Sequence, residues 1–174
     1  MTDTITRLRT SNTAKCVLAL AAAAVLLAVF ALAAPGSGFF FPLVSLWCNL
    51  ALFACVLLVL RVAGVKFDLF HKAVIVGLWA AALLYFFWAL DRRSFVYIWD
   101  YFNYINKQYS AEAAFLQGPA AGFQYIFGSF AEDYTNFITL FLDFPFCLSD
   151  RTGDSFAFCQ VFSILPMLLV LLAG

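Results

Sequence analysis

Four long apolar stretches limit what this chain can fold into. They cover residues 16–34, 41–60, 73–90 and 156–174, and each is close to the ~20 residues with which a helix crosses the hydrocarbon core of a bilayer. Charged residues make up only 11% of the chain, whereas soluble domains have about 25%. The sequence therefore predicts an all-α, polytopic transmembrane protein with about four spans, and it excludes an ordinary soluble domain.

Basic residues are unevenly distributed between the connecting segments. The N-terminal tail and the connection between the second and third spans carry six basic and two acidic residues, a net charge of +4. Residues 91–154 carry four basic and eight acidic residues, a net charge of −4. Since Lys and Arg near span ends stay in the cytoplasm, we predict a multi-pass protein of the cell membrane, with residues 1–15 as a cytoplasmic tail and residues 91–155 as a large outer loop.

The two ends of the chain leave alternatives open. The first span has a basic start and a small-residue site at Ala31-Leu32-Ala33, but its apolar run exceeds the roughly 7–15 residues of a signal-peptide core, which favours a membrane span. No basic flank follows the fourth span. This predicts that residues 156–174 are a truncated helix and that the chain is a fragment of a longer polytopic protein; a small four-span protein is the alternative.

The outer loop is too long and too apolar for a structureless connector. Apolar residues recur at three- and four-residue spacing over residues 95–109, which predicts an amphipathic helix that lies along the membrane surface. Gly118 and Pro119 follow and predict a break in the chain.

A second interfacial helix is predicted to begin near Ser129. Ser129 and Glu132 have the spacing of a capping box, in which the two side chains bond each other's backbone N–H groups at a helix start. The helix is expected to run to about Leu142 and to end before Pro145, with Asp143 facing water.

The first outer helix carries a polar face. Asp100, Asn103, Tyr104 and Lys107 recur at i, i+3, i+4 and i+7, so they fall on one side of a helix. Aromatic neighbours such as Tyr101 partly desolvate Asp100 and strengthen it as a base. We therefore single out Asp100 for a catalytic or ligand-binding role; a solvated face, or a pair between Asp100 and Lys107, is the alternative.

Glu132 and Asp133, followed by Tyr134, form a second acidic point. Two carboxylates from separate segments can divide the work, one accepting a proton from an attacking hydroxyl and the other positioning substrate or a divalent cation. Acids in a first helical turn also simply favour the helix dipole. Arg92 and Arg93 follow the third span, where guanidinium groups can bind a lipid phosphate or anchor the helix to headgroups.

The sequence gives only weak indications of a metal site or a disulfide bond. His71 is the single histidine, without a partner at ligand spacing, so no resident metal site is predicted. Cys147 and Cys159 are the one cysteine pair that could meet near the outer face, but they lack the Cys-x-x-Cys spacing. No nucleic-acid partner is predicted.

Three short segments lie in order between two predicted spans: IWDYFNYINKQ, EDYTNF and LDFPF. Together they resemble bacterial multi-pass proteins related to the GT-C glycosyltransferases, over residues 91–174. The resemblance implies two interfacial helices, an acidic catalytic base or metal-assisting group, a polyprenyl-phosphate sugar donor and a glycan or lipid acceptor. In that superfamily the acidic loop follows the first span and here it follows the third, so the first two spans would be an added hairpin.

By position, the resemblance makes Asp100 the first acid and Asp133 with Glu132 the second. The donor phosphate would be bound by Arg92, Arg93 or Lys107. The neighbouring polar and aromatic residues are also predicted to bind substrate: Asn103, Tyr101, Tyr104 and Tyr134. The expected function is that of the N-terminal part of a membrane glycosyltransferase acting on a cell-envelope acceptor. The alternatives are a non-catalytic transporter or assembly subunit and a membrane-anchored glycan-binding module.

Overall fold

The computed structural model describes the backbone at residues 2–92, 99–132, 135–148, 159 and 161–173. Side chains are described for the same residues with the exception of 2–12, 86, 87, 89–92, 99–101 and 173. Within these ranges every regular element is a helix. The prediction of an all-α chain is confirmed.

The α-helices of the described residues are α1 (Thr2–Ala33), α2 (Phe40–Val62), α3 (Leu69–Arg92), α4 (Trp99–Gln117), α5 (Pro119–Gly128), α6 (Thr139–Cys147) and α7 (Leu165–Ala173). Two short 3-10 helices, Ser129–Ala131 and Asn136–Ile138, connect α5 to α6. Residues 161–163 are also helical and lead into α7.

In the part of the chain that the structure describes, two helices have the length and hydropathy of membrane spans, the Thr13–Ala33 part of α1 and the whole of α2. None of the apolar window of α1 is buried within the protein, and large side chains such as Leu18 and Leu32 are 71% and 85% exposed. Shorter apolar helical segments occupy Leu69–Tyr85 and Val161–Leu172. The third and fourth spans and the orientation of the chain stay predictions.

A tight turn reverses the chain between α1 and α2. Gly36 has a φ of +79°, a left-handed conformation that glycine adopts without a Cβ penalty. A Cβ at this position would lie 2.6 Å from the Leu116 backbone oxygen of α4. Trp47 then links the two helices, because its Nε1 donates to the Leu20 backbone oxygen at 3.0 Å.

The first core cluster attaches α4 and α5 to the start of α2. Phe41 of α2 stacks on Phe115 of α4 with ring centroids 4.3 Å apart, and both side chains are buried. Gly122 lets α5 approach this pair, since a Cβ there would overlap the Phe115 ring. The cluster consists of Phe40, Phe41, Val44, Ala111, Phe115, Ile126 and Leu140.

Helix α6 contradicts the predicted helix stop before Pro145, because Pro145 lies inside it. Proline has no N–H for the carbonyl four residues earlier, that of Phe141. Asn49 of α2 supplies the missing donor: its Nδ2 lies 2.8 Å from the Phe141 oxygen. Beside it, the Ser45 hydroxyl accepts the Phe144 backbone N–H at 2.9 Å. Tertiary hydrogen bonds from α2 thus compensate for the proline.

Helix α4 differs from the predicted helix over residues 95–109. It runs from Trp99 to Gln117 and ends where Gly118 adopts a φ of +138°. The chain then turns into α5, which begins with Pro119 and which the sequence did not predict as a helix. Residues 93–98 are outside the described part of the chain, so the predicted start of the first helix is not compared.

Candidate functional site

The best-defined polar cluster among the described residues joins α4 to the chain between α5 and α6. Lys107 Nζ donates to Asn136 Oδ1 at 2.7 Å and to Glu132 Oε2 at 3.3 Å. The Lys107 side chain is 19% exposed and that of Glu132 is 59% exposed. A predicted phosphate-binding cation and a predicted catalytic acid therefore contact each other. Because Glu132 is exposed, its ion pair with Lys107 contributes at most about 1 kcal/mol of stability. A competing anion can therefore replace Glu132 at low cost.

Asn136 is fixed by hydrogen bonds on several sides. Its backbone N–H donates to Ser129 Oγ at 2.7 Å, and its Nδ2 donates to the Tyr125 backbone oxygen at 3.0 Å. Its own carbonyl accepts from Thr139 Oγ1 at 2.6 Å. Because Asn136 is 3% exposed, these bonds hold its Oδ1 in place against Lys107.

The predicted capping box at Ser129 is wrong. Ser129 opens a 3-10 turn, and its Oγ donates to the Ile126 backbone oxygen at 2.7 Å. Glu132 follows that turn in an extended conformation. The cap is made six residues later, where Thr135 accepts the Phe137 N–H at 3.2 Å ahead of the second 3-10 helix. The threonine therefore takes the role predicted for the serine.

A second polar contact lies one residue further along α4. Gln108 Nε2 donates to Asp143 Oδ1 at 2.7 Å, and the two residues are 0% and 1% exposed. The prediction that Asp143 faces water is wrong. A buried carboxylate is costly unless it is hydrogen-bonded, so this pair ties α4 to α6 specifically.

Gln108 is a buried polar residue that the sequence analysis does not single out. Gln108 lies in the buried stripe of α4 that contains Ile105, Ala111 and Phe115. A glutamine that interrupts a three- and four-residue apolar repeat is a readable signal for a buried polar partner. The apolar repeat continues beyond residue 109, where the predicted helix ends, to the buried residues Ala111 and Phe115.

The remaining predicted site residues fall into two groups. Asn103 and Tyr104 are half-buried on α4, and Tyr104 packs against the second core cluster, formed by Ile105, Leu142, Phe146 and Cys159. For the others the structure gives at most a backbone position: Asp100 and Tyr101 in the first turn of α4 and Arg92 at the end of α3. Arg93, Asp133 and Tyr134 lie outside the described residues.

Tyr125 lies beside the polar cluster, on α5. Partial burial raises the pKa of its hydroxyl; a hydrogen bond with Ser110 opposes the shift, and the charge of Glu132 adds to it. At neutral pH the hydroxyl is therefore protonated and can act as a hydrogen-bond donor but not as a base.

An apolar cavity of about 880 Å³ opens between α1, α2 and α5, with one side closed by the second 3-10 helix and α6. This volume falls in the range of about 300–1,000 Å³ typical of small-molecule pockets. We call it the larger cavity; its lining residues include Ala28, Val44, Trp47, Phe123, Phe127 and Phe137. Asn136 of the polar cluster directly precedes Phe137, so the cluster and the cavity share one 3-10 helix.

Among the described residues, no group of three or more His, Cys, Asp or Glu side chains is arranged to hold a metal ion. No protein-family model, curated protein or solved structure matches this chain. The glycosyltransferase resemblance therefore remains a hypothesis that depends on three short segments. The geometry described above is independent of it.

Proposed function

We propose that the protein is an integral membrane protein that transfers a sugar from a polyprenyl-phosphate donor to a cell-envelope acceptor. The membrane part of the proposal is supported by α1 and α2. Their apolar side chains are exposed over the length of a bilayer, and so large an apolar surface is stable when lipid covers it.

The substrate class is supported by one observation. The 3-10 helix Asn136–Ile138 contributes Phe137 to the lining of the larger cavity and Asn136 to the Lys107 cluster. An apolar chain fits a cavity with an almost wholly apolar lining, and an anionic head fits the Lys107 ammonium of the neighbouring cluster. A lipid-linked phosphate combines these two properties. On binding, the donor phosphate would replace Glu132 as the partner of Lys107.

The chemistry in this proposal is direct displacement at the anomeric carbon. Asp100 takes the proton of the acceptor hydroxyl, the hydroxyl oxygen bonds the anomeric carbon, and the bond to the lipid phosphate breaks. Lys107, with Arg92 and Arg93, stabilises the departing phosphate. Glu132, released from Lys107, and Asp133 position the acceptor.

A transfer assay tests the proposal. The full-length protein in lipid nanodiscs receives polyprenyl-phosphate donor with a radiolabelled sugar and a cell-envelope extract as acceptor, and label in the acceptor is measured. Asp100→Asn and Asp133→Asn should each lower the rate at least about 100-fold, as expected for loss of an acid–base group. Asp68→Asn is the matched control, because Asp68 is exposed between α2 and α3 and should leave the rate unchanged. Wild-type rates in both Asn variants would refute the assignment.

A non-catalytic membrane subunit is the second candidate, and the mutual pairing of Lys107, Glu132 and Asn136 favours it. In that case the cluster only holds α4 against the following chain. Lys107→Met would then lower stability while donor binding, measured by filter retention of the labelled lipid, stays at the wild-type level. Under the enzyme proposal, donor binding falls as well.

A further inference from the structure

A second apolar cavity, of about 590 Å³, lies between α1 and α2 on the other side of Trp47. We call it the smaller cavity. Trp47 lines both cavities, and its hydrogen bond to Leu20 bridges the helices between them. The lining is apolar along its length, with residues such as Val17, Leu20, Leu50, Phe53, Ala54 and Leu57.

The smaller cavity ends at a basic group. Arg61 lies in the last turn of α2 and lines the cavity together with Thr13. Its Nη1 donates to Thr13 Oγ1 at 3.2 Å, which holds the guanidinium at the α1–α2 seam. A guanidinium is a planar fork of N–H donors that matches phosphate oxygens. Lys15, at the start of the apolar part of α1, and Lys66, shortly after the end of α2, are both exposed.

We infer that the smaller cavity is a binding site for an anionic phospholipid, with an acyl chain between α1 and α2 and the phosphate at Arg61. A long cavity with apolar walls and a single cationic end has the polarity of such a lipid. The charge bias of the sequence predicts this end of the helices to face the cytoplasm, where the leaflet is rich in anionic lipids.

Charge also distinguishes this occupant from a second copy of the chain. A parallel copy seated on the same seam would bring its own Arg61, Lys15 and Lys66 close to those of the first copy. Basic side chains brought close together repel each other, whereas they attract a phosphate. The site is separate from the proposed sugar-donor site, because it lies across Trp47 from the larger cavity and needs none of the outer carboxylates.

Native mass spectrometry tests this inference. The full-length protein is reconstituted in vesicles with equal parts of phosphatidylglycerol and phosphatidylcholine, extracted gently, and the lipids that remain bound are identified. Wild-type protein should retain phosphatidylglycerol in preference to phosphatidylcholine. Arg61→Gln should lower that preference at least about fivefold, because the variant loses the charge-assisted hydrogen bonds from the guanidinium to the phosphate.

Two further variants separate the alternatives. Lys66→Gln removes an exposed charge of the same sign outside the cavity and should leave the preference unchanged; an equal loss would indicate general surface attraction and overturn the inference. Ala54→Phe fills the cavity without changing charge and should lower retention of both lipids. Unchanged retention in Arg61→Gln, or a dimer without bound lipid in wild-type protein, would also refute the site.

Discussion

The hydrogen bond from Asn49 to the Phe141 carbonyl makes a sharp prediction about stability. Asn49→Leu keeps the number and branching of the side-chain heavy atoms but removes the donor that lies 2.8 Å from that oxygen. One net hydrogen bond is worth about 1 kcal/mol, and a fully buried carbonyl left without a partner costs about 1–3 kcal/mol; the bond from Asn49 to Phe141 is part-buried. Asn49→Leu also removes the Asn49 Oδ1, a buried oxygen with no hydrogen-bond partner among the described residues, which offsets part of the loss. We expect the substitution to lower the free energy of unfolding by about 1 kcal/mol.

Pro145→Ala should suppress this effect. Alanine restores the N–H that the helix geometry directs at the Phe141 carbonyl, so Asn49 is no longer its necessary donor. In a double-mutant cycle the two substitutions should show a coupling energy of ~1 kcal/mol. The free energies are measured by reversible unfolding of the full-length protein in mixed micelles with increasing dodecyl sulfate, followed by circular dichroism.

Pro166→Ala is the matched control for the proline substitution. Pro166 is the second residue of α7, and the carbonyl four residues before it, that of Phe162, is not the one that Asn49 bonds. Its effect should add to that of Asn49→Leu without coupling. If Asn49→Leu costs the same free energy in the wild-type and Pro145→Ala backgrounds, the proposed compensation is wrong.

Three further changes test the fold by the same unfolding measurement. Gly36→Ala should lower the free energy of unfolding by about 1–3 kcal/mol, because Gly36 combines a positive φ with a close approach to the Leu116 oxygen. An unchanged unfolding midpoint would contradict the conformation described for that turn. Asp143→Ala should cost about 1–3 kcal/mol by stranding buried Gln108, and the cost should fall when Gln108→Leu is added. Thr135→Val should cost about 1 kcal/mol through its lost cap, whereas Thr135→Ser should be nearly neutral.

Hydropathy was enough to predict the apolar helices. The predicted stretch 41–60 falls inside α2, and the stretch 16–34 falls inside α1 except for its last residue, because the apolar content of a long run does not depend on what packs against it. The break at Gly118 and Pro119 was equally readable, since proline fixes its own φ and glycine tolerates a positive one. These are local properties of the chain.

The errors arose where distant residues decide the structure. Pro145 stops a helix in isolation, but Asn49, 96 positions earlier in the sequence, supplies its missing donor. Ser129 has a capping-box spacing, yet its hydroxyl bonds Ile126 and Asn136 instead. Asp143 looked like a solvated acid because its partner, Gln108, belongs to another helix. Local patterns cannot report such tertiary hydrogen bonds.

The candidate site was predicted in part. Lys107 and Glu132 were both singled out, for separate roles, and the structure brings them to 3.3 Å. Asn136, which makes the shorter bond to Lys107, had no signal of its own because its placement depends on Ser129 and Tyr125. The larger cavity is likewise a product of how α1, α2 and α5 pack.

The central claim is that a lipid-linked phosphate binds between the larger cavity and Lys107. Photocrosslinking tests it directly: the full-length protein is irradiated with a polyprenyl-phosphate sugar whose lipid chain carries a photoreactive group, and the labelled peptides are mapped. We predict label in α5 and the second half of α1, with labelling several-fold weaker in Lys107→Met but unchanged in Lys66→Met. Label spread evenly over the apolar helices, or equal competition by the neutral polyprenol, would contradict the account.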